Sequence, residues 1–524
     1  MQGGGEMRGP NDRLSLTEKA GYGAADAAAN FVFMTMILFQ TNYYTEVFGI
    51  SAEAAAVILL VGRVWDAVVD PVVGAVADRT NTRWGQFRPW IIGTAVPWSI
   101  AMVLAYTTPR GWGMGAKIAY AAVTNMLLMS IYSMNNMPYA ALGGVITGDV
   151  RERAKLNTVR FVLVNAAQFV VGGFTLPLVA RFSIGHDRQY GWEATTTIWA
   201  VICLVLFVVT FITTRERVRA KRKQRFDVMR DVRGLLRSSP WIVMFMVTLV
   251  HFGTLAFRGG ALYGYYHYYV DKNAMYACLH SVGLTEVGSA SSVLARHELL
   301  GTLGLIVWSG DGSFQRSNVA DVFNSLVNML SLLVTIGVML FSPMLCGRFG
   351  KKAVAVCGFA LTGLASCTFF LLAPGQVGAM LAMTVLVAVF YAPTIPLLWA
   401  MYADVADYCE WTTGRRCTGV VFASICFALK CGLAFGSASY LWTMAAAFGY
   451  EGGAAQTPLA AYGYRVCSGL VVGILFSMCA SALVFYKLTK RLTLEMADDL
   501  PKRREEAIEA VVGSEPALPS SVRA

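Results

Sequence analysis

The sequence predicts an all-α polytopic membrane protein of about twelve helices, arranged as two halves of six. Three observations predict it. The 524-residue chain is 56% hydrophobic and only 14% charged, whereas soluble domains carry roughly one-quarter charged residues. Its mean hydropathy is +0.53. Apolar runs able to supply the roughly 20 residues a helix needs to cross the hydrocarbon core recur along the chain and leave no room for a large soluble domain.

The first 22 residues are polar and include Gly3-Gly4-Gly5 and Pro10. The run after them is longer than a signal peptide and lacks a small-residue cleavage site, so it reads as the first span. Spans are expected near 23–47, 52–77, 89–107, 116–146, 157–180 and 193–214, then near 241–270, 322–346, 353–374, 377–403, 419–447 and 465–487. The organisation is a first half over 1–214, a basic linker over 215–240, a second half over 241–487 and a tail over 488–524. Residues 501–524 read as a short charged helix followed by a disordered stretch.

Arg215 to Arg237 is the most basic stretch, with ten Lys/Arg against Glu216, Asp227 and Asp231. Phe226, Met229 and Leu236 recur in it at helical spacing, the pattern of an amphipathic helix on anionic headgroups. A nucleic-acid patch is the weaker reading, because basic cytoplasmic loops are the rule in membrane proteins. Placing this linker in the cytoplasm puts the loops with Arg79/Arg83/Arg88, Arg151/Arg153/Lys155, Arg348/Lys351/Lys352 and Arg415/Arg416 on the same side. The alternate loops hold few cations, so both termini are expected in the cytoplasm of a bacterial-type inner membrane. Asp271 to about Ser317 is then an extracytoplasmic insertion, either an ordered surface element or a lid; its apolar piece Leu299–Trp308 is too short to span.

The eleven cysteines lie mostly inside apolar runs, where thiols behave as small hydrophobes; Cys409…Cys417 has no accompanying histidine and is not a zinc pattern. No nucleotide-binding loop, nucleophile–base pair or metal cluster stands out, so no cofactor and no enzyme chemistry is expected.

The informative segment is Arg63-Val64-Trp65-Asp66-Ala67-Val68-Val69-Asp70-Pro71, in mid-span. Asp66 and Asp70, four residues apart, share one helix face. Charges at this depth are costly and mark cavities that serve ions or protons. Two carboxylates can hold a cation together or share a proton; the structural alternative is an internal ion pair with Arg63 or Lys430. Lys430 lies deep in the eleventh span and can balance them across the halves. Asp26 and Asn30 on the first span, Ser133 and Asn136 on the fourth, and Arg160 near the start of the fifth complete a candidate midplane site. At the cytoplasmic rim Asp78 and Arg79, Arg153, and Asp404, Asp407 and Glu410 with Arg416 suit an inner gate, or equally a static solvated network.

Together these segments resemble the glycoside–pentoside–hexuronide:cation symporter family of the major facilitator superfamily. The resemblance rests on Tyr22-Gly23-Ala24-Ala25-Asp26…Asn30, Tyr44-Thr45-Glu46-Val47-Phe48-Gly49, Arg63…Asp66…Asp70-Pro71, Arg83-Trp84-Gly85…Arg88-Pro89, Asn136-Met137-Pro138-Tyr139, Arg153…Arg160 and Asp404…Asp407-Tyr408…Glu410…Arg416…Lys430. It implies the major facilitator fold and alternating-access symport of a sugar or glycoside with a proton or sodium ion by a monomer. Asp66, Asp70 and Ser133 then correspond to the cation ligands, Lys430 to the lysine that approaches them, and Arg160 to an arginine of the sugar cavity. Asn30 and Asn136 replace aspartates of melibiose-transporting members, Ala140 replaces a tryptophan, and Val69 an asparagine. The first replacements favour uronate or pentose glycosides over neutral α-galactosides, with Arg160 gripping a carboxylate; Val69 offers no oxygen to sodium and favours a proton. Two other readings are a lysolipid symporter on the same architecture, which would show an apolar lateral opening, and a membrane sensor, which would carry a folded signalling domain.

Overall fold

The computed structural model describes residues 14–77, 79–147, 150–217, 234–287, 298–309, 318–413, 418–452, 456–496, 498–500 and 503. The spanning helices of the first half are α1 (Leu16–Thr35), α2 (Ala52–Ala77), α3 (Arg88–Ala105), α4 (Met114–Val145), α5 (Val150–Phe182) and α6 (Arg188–Thr213). Those of the second are α7 (Ser239–Gly264), α8 (Val319–Met339), α9 (Lys351–Cys367), α10 (Val377–Thr413), α11 (Thr418–Phe448) and α12 (Pro458–Val484). Eleven of the twelve are apolar enough to cross a membrane. The twelfth, α2, is long enough but carries Arg63, Asp66 and Asp70.

Side-chain caps start several helices: Ser15 accepts from Glu18 N (3.1 Å), Asp187 from Tyr190 N (2.9 Å) and Thr457 from Ala460 N (3.1 Å). Each answers an N–H that has no partner within its own helix. Glu216, just past α6, accepts from Gln86 N, Phe87 N and Arg88 N at 2.8, 2.8 and 3.0 Å. A carboxylate there favours the positive end of α3. Helix α1 loosens into π-helical turns, Met36–Gln40 and Tyr43–Phe48, and stops at Gly49, whose φ of 80° a side chain would disfavour. The α7–α11 seam is built from small residues. A Cβ on Gly253 would lie 3.2 Å from Gly432 O, and one on Gly436 would collide with Gly253 O. Such residues let helix backbones close where lipid supplies no hydrophobic drive.

Within the first half α1 packs on α5 and α6, α3 on α4 and α6, and α2 on α4; in the second, α7 packs on α11 and α12, and α9 on α10 and α12. The halves meet through α2 with α11, α5 with α8, and the π-turn of α1 with α7. The insertion is ordered where described. A helix, Lys272–Ser281, is followed by strand β1 (Thr285–Val287), paired in parallel with β2 (Val307–Ser309) in the register Thr285↔Val307. Asn318 Nδ2 donates to Ile306 O at 2.9 Å, and Gly304 lies against the Pro177 carbonyl at the end of α5. The insertion of the second half therefore touches the first. The amphipathic helix expected in the linker and the helix-then-tail expected over 501–524 fall almost entirely outside the described residues.

Candidate functional site

Two polar clusters occupy the bundle interior and a third closes one end. In the first, Asp66 and Asp70 stand one turn apart on α2. Ser133 Oγ on α4 donates to Asp66 Oδ1, and Lys430 on α11 reaches across the halves to both carboxylates. Its Nζ bonds Asp70 Oδ2 and lies 2.9 Å from Asp66 Oδ2. The second contact has the distance of an ion pair without the alignment of a hydrogen bond, so Asp66 Oδ2 and Asp70 Oδ1 remain buried with no donor. One carboxylate oxygen with no donor and another held by an ion contact alone, beside a hydroxyl oxygen, can accept a proton or a small cation. Arg63, also on α2, is near enough to interact with Asp66 but forms no ion-pair contact with a described residue.

The second cluster runs from α5 to α1. Gly23 lets α5 come close: a Cβ there would lie 3.0 Å from Arg160 Cα. Arg160 Nε donates to Asp26 Oδ2 at 2.5 Å, and its guanidinium lies over the Tyr139 and Phe161 rings at 5.9 and 5.4 Å. Asn30 Nδ2 donates to Asp26 O at 2.8 Å, while Asn30 Oδ1 accepts from Gln168 Nε2 at 3.0 Å. Asn136 on α4 is half-buried and makes no side-chain hydrogen bond with a described residue. Its neighbour Asn135 is buried and bonded to Thr94 Oγ1 at 2.8 Å. Of the polar pair on this turn of α4, Asn136 is the one left open to a ligand.

The third cluster lies at the insertion face and joins the halves. Arg188 at the start of α6 holds Asp321 of α8 through two hydrogen bonds, 2.7 and 3.0 Å. His267 Nε2 is 3.0 Å from Asp321 Oδ1 and its Nδ1 is 2.9 Å from Tyr263 O. Each ring nitrogen thus lies within hydrogen-bonding distance of an oxygen. Tyr450 donates to Thr45 Oγ1 at 2.8 Å, a further bond between halves.

The opposite face carries the start of α1 and the residues that follow α12. There Arg217 pairs with Glu18 (2.5 Å), Lys19 with Glu152 (2.7 Å) and Lys351 with Asp404 (2.7 Å), each within one half. Hydrogen bonds from Lys19 and Lys155 hold the Glu152 carboxyl down, to about 2, so this anchor stays ionised at physiological pH. Of the expected gate residues, Asp404 meets Lys351, while Arg79 and Asp407 are exposed and Glu410 is half-buried. Asp78, Arg416 and the side chain of Arg153 lie outside the described residues.

The structure thus joins Asp66, Asp70, Ser133 and Lys430 in one group and Asp26, Asn30 and Arg160 in another. It adds Gln168, Arg188, His267 and Asp321, which the sequence reading missed. Arg188 and Asp321 sit at span ends, where charge is ordinary, and 133 residues separate them; only an intramembrane-facing carboxylate in the first turn of an apolar run signalled anything.

Twelve membrane helices in two interlocked halves, with carboxylates of one half held by a lysine of the other, define a secondary transporter of the major facilitator fold. The chain belongs to the MFS/sugar transport protein family, whose sequence pattern matches residues 21–296 and 289–490. It is 32% identical to the inner membrane symporter YicJ of Escherichia coli over 82% of this chain and 83% of that one. It is 28% identical to the glucuronide carrier protein homolog of the same organism, covering 94% and 97%, and 28% identical to the isoprimeverose transporter of Lactiplantibacillus pentosus, covering 94% and 92%. Among solved structures, the nucleoside transporter NupG aligns with a TM-score of 0.59 at 10% identity, over 90% of this chain and 100% of that one. The inward-open xylose transporter XylE of E. coli aligns with a TM-score of 0.53 at 12% identity, over 93% and 99%. These two show the fold alone.

Proposed function

We propose that the protein carries a sugar or glycoside across the bacterial inner membrane together with a proton or sodium ion, by alternating access. The observation that carries this reading is Lys430 of the second half set against Asp66 and Asp70 of the first. An entering cation competes with the ammonium for the same oxygens, so occupancy of the ion site changes the tie between halves. Ion binding and rocking are then two sides of one free-energy coupling. Asn30, Gln168 and Asn136 offer donors and acceptors to sugar hydroxyls, and Asn30 lies next to the Arg160–Asp26 pair, bonded to the Asp26 backbone carbonyl and to Gln168. The names of the relatives, a glucuronide carrier homolog and an isoprimeverose transporter among them, support a saccharide substrate.

The charge asymmetry of the loops supports placing the terminal face in the cytoplasm. With the insertion face latched by Arg188–Asp321, the conformation is then inward-facing, and Asp78, Arg79, Arg153, Asp404, Asp407, Glu410 and Arg416 are the residues available to close the other end. Accumulation of labelled glycosides by membrane vesicles, with sodium and pH varied separately, tests the reading. Uptake that follows one ion gradient is expected; uptake indifferent to both would overturn it.

A further inference from the structure

Three interior cations are already answered: Arg160 by Asp26, Arg188 by Asp321, and Lys430 by Asp66 and Asp70. Arg63 has Asp66 one turn along its own helix and shares that cluster's balance of charges. Arg258, well inside α7, differs. It is half-buried and makes no hydrogen bond or ion pair with a described residue. Tyr266 and Tyr391 are near enough to interact with it electrostatically, and among the described residues no carboxylate is. An uncompensated guanidinium at this depth is costly and calls for a function.

Its position places it at the seam between the halves. The next residue, Gly259, lies directly against the Ile37 carbonyl of α1, and Asn42 Nδ2 donates to Gly260 O at 3.4 Å. Tyr391 ends the first segment of α10, where the helix breaks at Ala392 and Pro393. Asn30 is seven residues before Ile37, so it stands about 10 Å from the level of Arg258 along the bundle. That interval suits one or two sugar rings between the two positions.

We infer that Arg258 receives the carboxylate of an anionic saccharide, an assignment that rests on the sugar-transport reading above. A guanidinium grips a planar carboxylate through two parallel hydrogen bonds. Arg160, expected from the sequence to do this, is committed to Asp26 instead.

The test uses the full-length protein and two matched pairs of probes, the 4-nitrophenyl β-glucuronide and β-glucoside and the corresponding galacturonide and galactoside. In at least one pair the unmutated protein should prefer the uronide, and R258Q should lose about tenfold more affinity for the uronide than for its neutral twin, the scale of one good charged contact. R258K, which keeps the charge without the fork, should fall between. R160Q should weaken both members of a pair alike. Preference for the neutral twin in both pairs, or equal losses from R258Q and R258K, would overturn the assignment while leaving sugar transport intact. Failure of the unmutated protein to bind any of the four would instead refute the sugar reading, and this inference with it.

Discussion

Replacing Lys430 by glutamine removes the cation that is ion-paired with both of two carboxylates standing one turn apart. Asp66 and Lys430 are 1% and 12% exposed, so the pair is interior and solvent does not screen it as it would a surface bridge. Breaking a buried pair by deleting one partner costs about 3–5 kcal/mol, because the remaining charge is left uncompensated. Asp70, 17% exposed, lies closer to the open interior, which moves the expectation to the lower end, about 3 kcal/mol. A proton or a sodium ion on either carboxylate removes most of that cost. K430Q should therefore be less stable than the unmutated protein at high pH without sodium, and should recover in acid or with added sodium. A deficit of about 3 kcal/mol corresponds to roughly a hundredfold gain in affinity for the rescuing cation. Thermal unfolding of the detergent-solubilised protein across a grid of pH and sodium concentration reads both effects, and whichever ion rescues is the coupling ion. A K430Q protein as stable as its parent and indifferent to both ions would show that the carboxylates are not held in the charged state, and the reasoning would fail.

On the proposed reading, in which the carboxylates take the cation and not the sugar, Asp66→Asn and Asp70→Asn should each abolish uphill sugar accumulation while sparing part of sugar exchange; full accumulation in both single mutants would favour a purely structural ion pair. Asp321→Asn leaves Arg188 and His267 without their shared anion and should open the insertion face, raising the reactivity of a cysteine placed at Tyr450 towards an impermeant thiol reagent; unchanged labelling would remove the latch from the mechanism. Reporter fusions after Arg222 and after Arg491 should report cytoplasm and one within residues 271–317 periplasm, and a periplasmic signal from the linker fusion would reverse the orientation.

The parts of the site that were readable in the sequence share one property: they are charges where hydropathy forbids them. Asp66, Asp70 and Lys430 interrupt apolar runs, and their meeting across the halves follows from there being so few of them. The twelve spans were readable from their apolar runs, including α2, whose length survives the four charges it carries. The Arg160–Asp26 pair was not, because spacing places each residue on its own helix and says nothing of how α1 and α5 turn towards one another; Gly23 decides that. The latch was not, because Arg188, His267 and Asp321 lie near span ends, where side chains that snorkel to the interface look identical to those that bind each other. The insertion read only as too short to span; its parallel strand pair joins residues 22 apart, beyond the reach of local pattern.

The central claim is that sugar and cation move as one event, and proteoliposomes that contain only this protein test it most directly. With no ion gradient imposed, a sugar gradient should drive protons or sodium ions against their own equilibrium, seen as internal acidification or sodium gain that Asp66→Asn abolishes. Sugar entry with no accompanying ion movement under either condition would contradict the account.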